Sequence, residues 1–285
     1  MPGIPIGNRI ITYYALLIVA GMMIALAVLY YVAKKEGEQP DFALVIFLWV
    51  VPIAVLFTRL FWSVPRAWNS SYNPHSGFSW FLWLIDPSRG GLTIIGGITG
   101  GTLGVYLCAR TNKKSFTRVA DMMPFSLLIA QSIGRWGNFI NQELFGLEIT
   151  NPSWQWFPWA VEINGRYFAA SFFYESFFNL LAFGVFAYLF LKHREKFKPG
   201  SLGLMYIAWY TFLRAMLEFV KYNPATVGGV GAIQLLCFIV CPIMIALVVL
   251  NQKGIIRLET RKARMIWEYQ QKIKTLIPIG VTDKK

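Results

Sequence analysis

Charge is scarce in this chain. Asp, Glu, Lys and Arg together make up 14% of its 285 residues while 56% are hydrophobic, a balance that excludes a disordered chain and argues against an ordinary soluble domain. Histidine is rarer still, at positions 75 and 193 only. The three cysteines, Cys108, Cys237 and Cys241, all fall in apolar runs. Cys237 and Cys241 share a helix face by their i, i+4 spacing, but no histidine or carboxylate is near them in sequence to complete a metal site, so they read as small packing residues. Also missing are a phosphate-binding glycine loop in a βαβ setting, a Pro/Gly/Ser-rich linker and a fixed-period repeat. No metal, organic cofactor or second globular domain is expected.

What remains is hydrocarbon. The mean hydropathy is +0.49, and residues 10–33, 42–58, 90–109, 176–191 and 222–252 are free of charged side chains. Several of these runs are long enough to cross roughly 30 Å of bilayer core. Two more crossings, over residues 119–134 and 202–220, hold isolated charges, which makes seven spans in an all-α integral membrane protein. The first run is too long for the apolar region of a cleaved signal peptide and reads as a retained span. Residues 1–252 form one membrane domain, and residues 253–285 a basic tail.

Orientation follows from the basic residues, because cytoplasmic loops carry the excess. Alternate loops and the tail hold nineteen of the 27 Lys and Arg residues, the opposite side holds six, and Arg59 and Arg214 fall within spans. The amino terminus is therefore expected outside and the carboxyl terminus in the cytoplasm. The net charge of +13 follows from this asymmetry and suits anionic membrane lipids as partners; nucleic acid is not expected. The tail segment "RLETRKARMIWEYQQKIKTLIPIG" reads as an amphipathic helix on the inner surface.

Two extracytoplasmic segments are long enough to fold, at about 64–89 and 137–168. Trp68, Trp80, Phe81 and Trp83 give the first an interfacial character, and "EINGRY" in the second is an Asn-Gly turn flanked by strand formers. In "GGLTIIGGITGGTLG", Gly96, Gly100 and Gly104 recur every four residues, as do Gly97 and Gly101, and offer small faces for close helix approach.

With orientation set, the polar groups of the spans share one depth. Tyr14, Arg59, "RGGLTII" at the mouth of the third span, Arg135, Asn138, Tyr174, Glu175, Tyr210, Arg214 and Glu218 all lie toward the outer ends, so that six of seven helices bring polarity to one level. Each charge in a bilayer costs at least roughly 2.5 to 3.5 kcal/mol on insertion scales and marks a site or a pathway. Arginines at one depth need anions. Glu143, Glu175 and Glu218 supply some; Arg214 and Glu218, at i, i+4, could be a purely structural pair. A phosphate is the natural remaining anion, since guanidinium keeps its charge and matches phosphate oxygens as a planar fork. Asn138 and Asn141 add neutral donors for phosphate or glycerol oxygens. A polar lipid headgroup from the outer leaflet fits this set.

The stretch "GRWGNFINQELFG" resembles the signature of the prolipoprotein diacylglyceryl transferases, bacterial membrane enzymes that begin lipoprotein maturation. Similar matches are "TYYALL", "TRLFW", "GGLTIIGG", "FFYES" and "YTFLRAMLEF" along most of the chain. The resemblance implies transfer of the diacylglyceryl group of phosphatidylglycerol to the lipobox cysteine thiol of a preprolipoprotein, in the bacterial inner membrane with the site facing outward. Carried over by motif, Tyr14, Arg135, Asn138, Glu143, Gly146, Tyr210, Arg214 and Glu218 are implied to matter, Gly146 as a backbone position. Arg59 and Glu175 stand in family-like contexts. Arg135 and Arg214 would hold the phosphate, and Glu143 or Glu218 would accept the thiol proton. One departure stands out: the family's third-span histidine position is Ile95, and His75 in the outer loop is the nearest alternative. That departure keeps a non-catalytic lipid-binding paralogue as a rival. A transporter is a second, opposed by inner span halves that are nearly bare apart from Asp121.

Overall fold

The computed structural model describes residues 3–6, 9–67, 77–86, 93–221, 226–227 and 230–276. Helices dominate. In chain order the elements are β1 (Gly3–Ile6), β2 (Arg9–Thr12), α1 (Tyr13–Lys35), α2 (Phe42–Ser63), α3 (Gly77–Ile85), α4 (Ile94–Thr111), α5 (Phe116–Ile140), β3 (Ala160–Ile163), β4 (Arg166–Ala169), α6 (Ser171–His193), α7 (Ser201–Glu218), β5 (Thr226–Val227), β6 (Val230–Gly231), α8 (Ala232–Lys253) and α9 (Arg261–Leu276). Four helical stretches, Tyr13–Lys35, Phe42–Arg66, Ser171–Lys196 and Ile233–Lys253, are long and apolar enough to cross a membrane. Helices α4, α5 and α7 are of comparable length, at 18, 25 and 18 residues, but carry the glycines and charges.

Two of the expected spans are trimmed. Residues 10–12 belong to β2, paired antiparallel with β1, and the stretch before α8 contains the β5–β6 pair. An absence of charge delimits a run but not the helix within it: the β-branched residues at 10–12 favour extended backbone, and Gly231 ends β6 where α8 begins. The Asn-Gly hairpin forms as expected. β3 and β4 pair with Ile163 opposite Arg166, and Asn164 and Gly165 both take positive φ, 51° and 76°, the requirement of a two-residue hairpin turn that twists with its strands.

Contacts divide the chain into two compact units, Met1–Val32 with Ala120–Leu258, and Ala33–Val119 with Glu259–Lys285. In the second, α2 and α4 meet along the glycine face. A Cβ on Gly100 would stand 2.6 Å from Phe57 Cβ, and one on Gly104 2.8 Å from Val50 Cα, whereas one on Gly101 would meet nothing within 4 Å. The Gly96–Gly100–Gly104 face is therefore the closely packed one, while on the other face a Cβ on Gly97 would meet only the Thr58 side chain, at 3.2 Å. Thr93 caps α4 by accepting the Gly96 N–H, and its own N–H reaches the Thr58 carbonyl at 3.1 Å. Helix α9 carries the basic tail, with Met265 and Tyr269 exposed, and Arg118 grips Glu259 just before it at 2.7 Å.

In the first unit, Asp121 of α5 organises the start of α7. Its two carboxylate oxygens accept the Gly200 and Gly203 N–H groups at 2.8 and 2.9 Å, with Arg194 at 3.6 Å. This satisfies donors that a helix start leaves open and places negative charge at the positive end of the helix. Helices α5 and α6 are pinned by Ser132 and Ser176, whose hydroxyls each reach the other's backbone carbonyl at 2.9 and 2.8 Å. Trp136 adds its indole N–H to Ser176 Oγ at 3.1 Å and packs edge-on against Phe139, Phe172 and Phe173.

Candidate active site

The register that the two serines set brings the end of α5 against the start of α6. Arg135 lies one turn beyond Ser132 and its Nη2 meets Glu175 Oε1 at 2.5 Å; the glutamate side chain is 6% exposed, the arginine 22%. The pair explains how a largely buried arginine is tolerated: the buried carboxylate neutralises it, and the more open guanidinium keeps donors to spare. Among the described residues, only Nη2 of Arg135 has a partner.

A second ion cluster closes α7. Arg214 Nη2 and Lys221 Nζ stand 3.6 and 3.4 Å from the two oxygens of Glu218, which is buried. The i, i+4 pairing of Arg214 with Glu218 is present, and Lys221, just beyond the helix end, joins it. Tyr210, one turn before Arg214, ties the clusters together, since Glu175, Arg214 and Arg135 all act on it electrostatically. Tyr14 at the start of α1 lies in the field of Glu143 and Arg135. Its ring is seated where a side chain on Gly137 would be, the ring's Cε2 lying 2.7 Å from a Cβ built there.

Beyond α5 the chain turns sharply. Gln142 and Leu144 take φ of 52° and 59°, conformations in which side chains are strained unless the surroundings fix them. The Asn138 carbonyl accepts the Glu143 N–H at 3.0 Å, and Asn141 Nδ2 donates to Glu143 Oε1 at 3.3 Å. Asn138 is buried; Glu143 is exposed. Asn141 Oδ1 is buried with no partner among the described residues. Gly146 ends the turn as a backbone position. Its N–H reaches the Ala169 carbonyl at 2.8 Å, Leu147 N–H reaches Val220 at 2.7 Å, and a Cβ on Gly146 would sit 2.6 Å from the Val220 oxygen.

The family model of the prolipoprotein diacylglyceryl transferases matches residues 4–250. The chain belongs to that family. Proteins named phosphatidylglycerol--prolipoprotein diacylglyceryl transferase are similar over most of their length: that of Listeria innocua is 30% identical over 252 residues, 86% of this chain and 87% of the relative. The Shouchella clausii protein is 33% identical over 256 residues, with the same coverage, and that of Acaryochloris marina 32% over 240 residues, 82% of this chain and 84% of the relative. Membership makes this membrane protein an enzyme, a diacylglyceryl transferase.

Of the expected site residues, the first unit gathers Tyr14, Arg135, Asn138, Asn141, Glu143, Gly146, Glu175, Tyr210, Arg214 and Glu218. Arg59 belongs to the second unit. It is 1% exposed there, donates to the Trp83 carbonyl at 2.7 Å and lies over the rings of Trp62 and Trp83 at 4.9 and 5.1 Å. Ile95 is in that unit too, 59% exposed on α4. His75 lies outside the described residues, as does the start of "RGGLTII". No cluster of three or more His, Cys, Asp or Glu side chains able to hold a metal occurs among the described residues.

Proposed function

We propose that this protein transfers the diacylglyceryl group of phosphatidylglycerol to the lipobox cysteine of a preprolipoprotein. It does so from seven spans, α1, α2 and α4 to α8, with the amino terminus outside, the basic tail in the cytoplasm and the site in the outer leaflet of the bacterial inner membrane. The observation that carries the reading is the pair of half-open arginines, Arg135 and Arg214. Each is anchored through one nitrogen to a buried glutamate, both act on Tyr210, and they stand in a chain whose relatives are named for this reaction.

Arg135 and Arg214 hold the lipid phosphate through their remaining donors and neutralise the charge that builds on the departing glycerol phosphate. Asn138 and Asn141 meet headgroup oxygens, and the unpartnered Asn141 Oδ1 suits a glycerol hydroxyl. The cysteine sulfur attacks the glyceryl carbon that bears the phosphate oxygen; the C–S bond forms, the C–O bond breaks, and glycerol phosphate leaves. The thiol proton goes to Glu143. Glu218 is buried and faces Arg214 and Lys221 as their counter-ion, though its Oε2 accepts no hydrogen bond among the described residues, whereas Glu143 is exposed and, among the described residues, bound through one oxygen to Asn141. Tyr14, in the field of Glu143 and Arg135, lines the approach. The loop rigidity that Gly146 provides keeps Glu143 and Asn141 in register with α5.

The test is reconstitution into phosphatidylglycerol liposomes with a lipobox peptide, the thioether product being followed by mass spectrometry. Wild type forms product; Arg135→Ala and Arg214→Ala do not, and Glu143→Gln binds lipid without turning it over. A non-catalytic lipid-binding protein, the reading that Ile95 favours, would bind phosphatidylglycerol and form no product until Ile95→His restores it. Solute flux without peptide modification would point to transport.

A further inference from the structure

A second set of polar side chains lies one turn beneath the charged groups of the first unit, and the transfer chemistry leaves it without a task. Four residues along each helix from Arg135, Glu175 and Tyr210, away from the loop end, stand Gln131, Asn179 and Tyr206. A helical turn is about 5.4 Å, so α5, α6 and α7 each repeat the polar level once, deeper and without charge. The three positions are knit together. Gln131 Nε2 reaches the Tyr206 oxygen at 2.7 Å, and Trp209 Nε1, on the turn of Tyr206, reaches Asn179 Oδ1 at 3.3 Å. The Ser132–Ser176 pair holds α5 and α6 in the register that sets Asn179 beside the turn of Gln131. Tyr206 also stacks on Tyr210, 6.3 Å between ring centres, joining this tier to the charged one.

Its hydrogen bonding is incomplete. Asn179 is fully buried, yet its Nδ2 has no partner among the described residues, and neither has Gln131 Oε1. Buried amides left unmatched are disfavoured, and a fold that keeps them there points to a partner that arrives. The Gln131–Tyr206 contact offers one donor whichever way the amide is turned. With Nε2 on the phenol oxygen, the phenol keeps its own proton to give; with the amide reversed, the phenol donates and Nε2 is left over. The tier therefore presents two donors, one from Asn179 and one from the Gln131–Tyr206 pair, from side chains that carry no charge of their own. A charged ligand has no counter-ion there. A pair of uncharged acceptors does fit, and the ester carbonyls of a glycerolipid lie just beneath its phosphate, a few bonds along the glycerol backbone.

We infer that Gln131, Asn179 and Tyr206 form a neutral subsite that hydrogen-bonds the ester carbonyls of the lipid whose phosphate Arg135 and Arg214 hold. The inference rests on the reading of those arginines as a phosphate clamp, and it makes the protein selective for diacyl over dialkyl glycerolipids. It also fixes the depth of the glyceryl carbon, because the lipid is held on both sides of it.

The experiment compares diacyl phosphatidylglycerol with its dialkyl ether counterpart of the same headgroup and chain length, which lacks both carbonyls. Binding to the full-length protein in detergent is read by native mass spectrometry, and turnover with a lipobox peptide is read in parallel. Wild type should bind the diester at least about tenfold more tightly, with each lost hydrogen bond worth roughly five- to tenfold. Tyr206→Phe and Asn179→Leu should each shrink the ratio of diester to diether affinity, with thermal unfolding confirming that the variants fold. Equal affinity of wild type for the two lipids overturns the subsite, as does an equal loss for both lipids in the variants. Ester-selective binding without product would keep the subsite and overturn the transfer reading instead, whereas product from both lipids at equal affinity and rate would do the reverse.

Discussion

The Arg135–Glu175 pair separates holding the fold from holding the substrate. Replacing Arg135 by Gln strands a glutamate whose side chain is 6% exposed, and removing one partner of a buried pair destabilises by about 3–5 kcal/mol. Replacing Glu175 by Gln leaves the charge on the more open arginine, 22% exposed, where solvent and lipid headgroups screen it, so that the loss should be about 1–2 kcal/mol. With both changed, no charge is left unmatched and the two amides can bond to each other. The double variant should then recover most of the stability lost in Arg135→Gln, a coupling of about 2–3 kcal/mol. Activity should not follow. A phosphate clamp lost from the transition state costs on the order of 100-fold or more in rate, and restoring neutrality does not restore the clamp. The assay is a double-mutant cycle run twice, by thermal unfolding in detergent and by thioether formation in phosphatidylglycerol liposomes. Recovery of turnover together with stability in the double variant would show Arg135 to be structural and would refute the mechanism.

On the packed glycine face of α4, Gly100→Ala should lower the unfolding midpoint, since its Cβ would stand 2.6 Å from Phe57 Cβ and 2.7 Å from the Ile53 carbonyl; overpacking of this kind destabilises by about 1–3 kcal/mol. Gly101→Ala, one residue on, meets nothing within 4 Å and should be neutral or slightly stabilising in the same measurement, as alanine favours the helix. Gly146→Ala should abolish transfer with a lowered midpoint, because the close approach to Val220 and Ala169 that sets the Glu143 loop has no room for a methyl; a fully active variant would remove Gly146 from the site. In the β3–β4 hairpin, the carboxylate of Glu162 raises the pKa of the Tyr167 phenol, reinforced by the hydrogen bond between them. In carbon-13 tyrosine NMR, Tyr167 should ionise at higher pH than an unperturbed tyrosine. The contact is therefore intact below the ordinary tyrosine range and lost only as pH climbs through the raised value. Glu162→Gln should lower that ionisation toward the ordinary tyrosine value.

Hydropathy made the helical membrane character of this protein legible in its sequence. Long apolar runs announced α1, α2, α6 and α8, the Asn-Gly dipeptide announced the β3–β4 turn, and the four-residue spacing of Gly96, Gly100 and Gly104 announced a close helix approach, but not that α2 makes it. The span edges were less visible: the β-branched residues at 10–12 are as apolar as a helix interior, so only the pairing with β1 reveals a strand. Arginines stood out individually, but their partners did not. That Glu175 belongs to Arg135 depends on the α5–α6 register, which two serines set, and serines in an apolar run carry no signal of their own. Arg59 shows the converse, since a charge at the end of a span can be absorbed by a carbonyl and two indole faces. Gln131, Asn179 and Tyr206 escaped notice because neutral residues on three separate helices become a set only when helix packing aligns them.

If the charged groups clamp the phosphate and the neutral set holds the ester carbonyls, as proposed, the two tiers impose different demands on a lipid, and the difference bears on release as well as binding. In the charged tier every arginine already has a glutamate, so an incoming phosphate shares a cation rather than neutralising a bare one. That lowers the gain on binding and with it the barrier to losing glycerol phosphate, which bears more charge than the diester it came from and would be held too firmly by unpaired guanidinium groups. Affinity for the intact lipid must then come from somewhere that the leaving group does not touch. The neutral tier meets this need, because ester carbonyls remain with the diacylglyceryl group and not with the glycerol phosphate. Binding through groups that stay on one side of the breaking bond lets the other product depart while the modified peptide is still engaged. Strengthening the charged tier, for example by Glu218→Gln with Arg214 intact, should therefore tighten phosphatidylglycerol binding while slowing turnover through retained glycerol phosphate. Product inhibition by glycerol phosphate would rise in that variant. If inhibition instead stayed unchanged or fell, the glutamates would not be acting as moderators of the clamp.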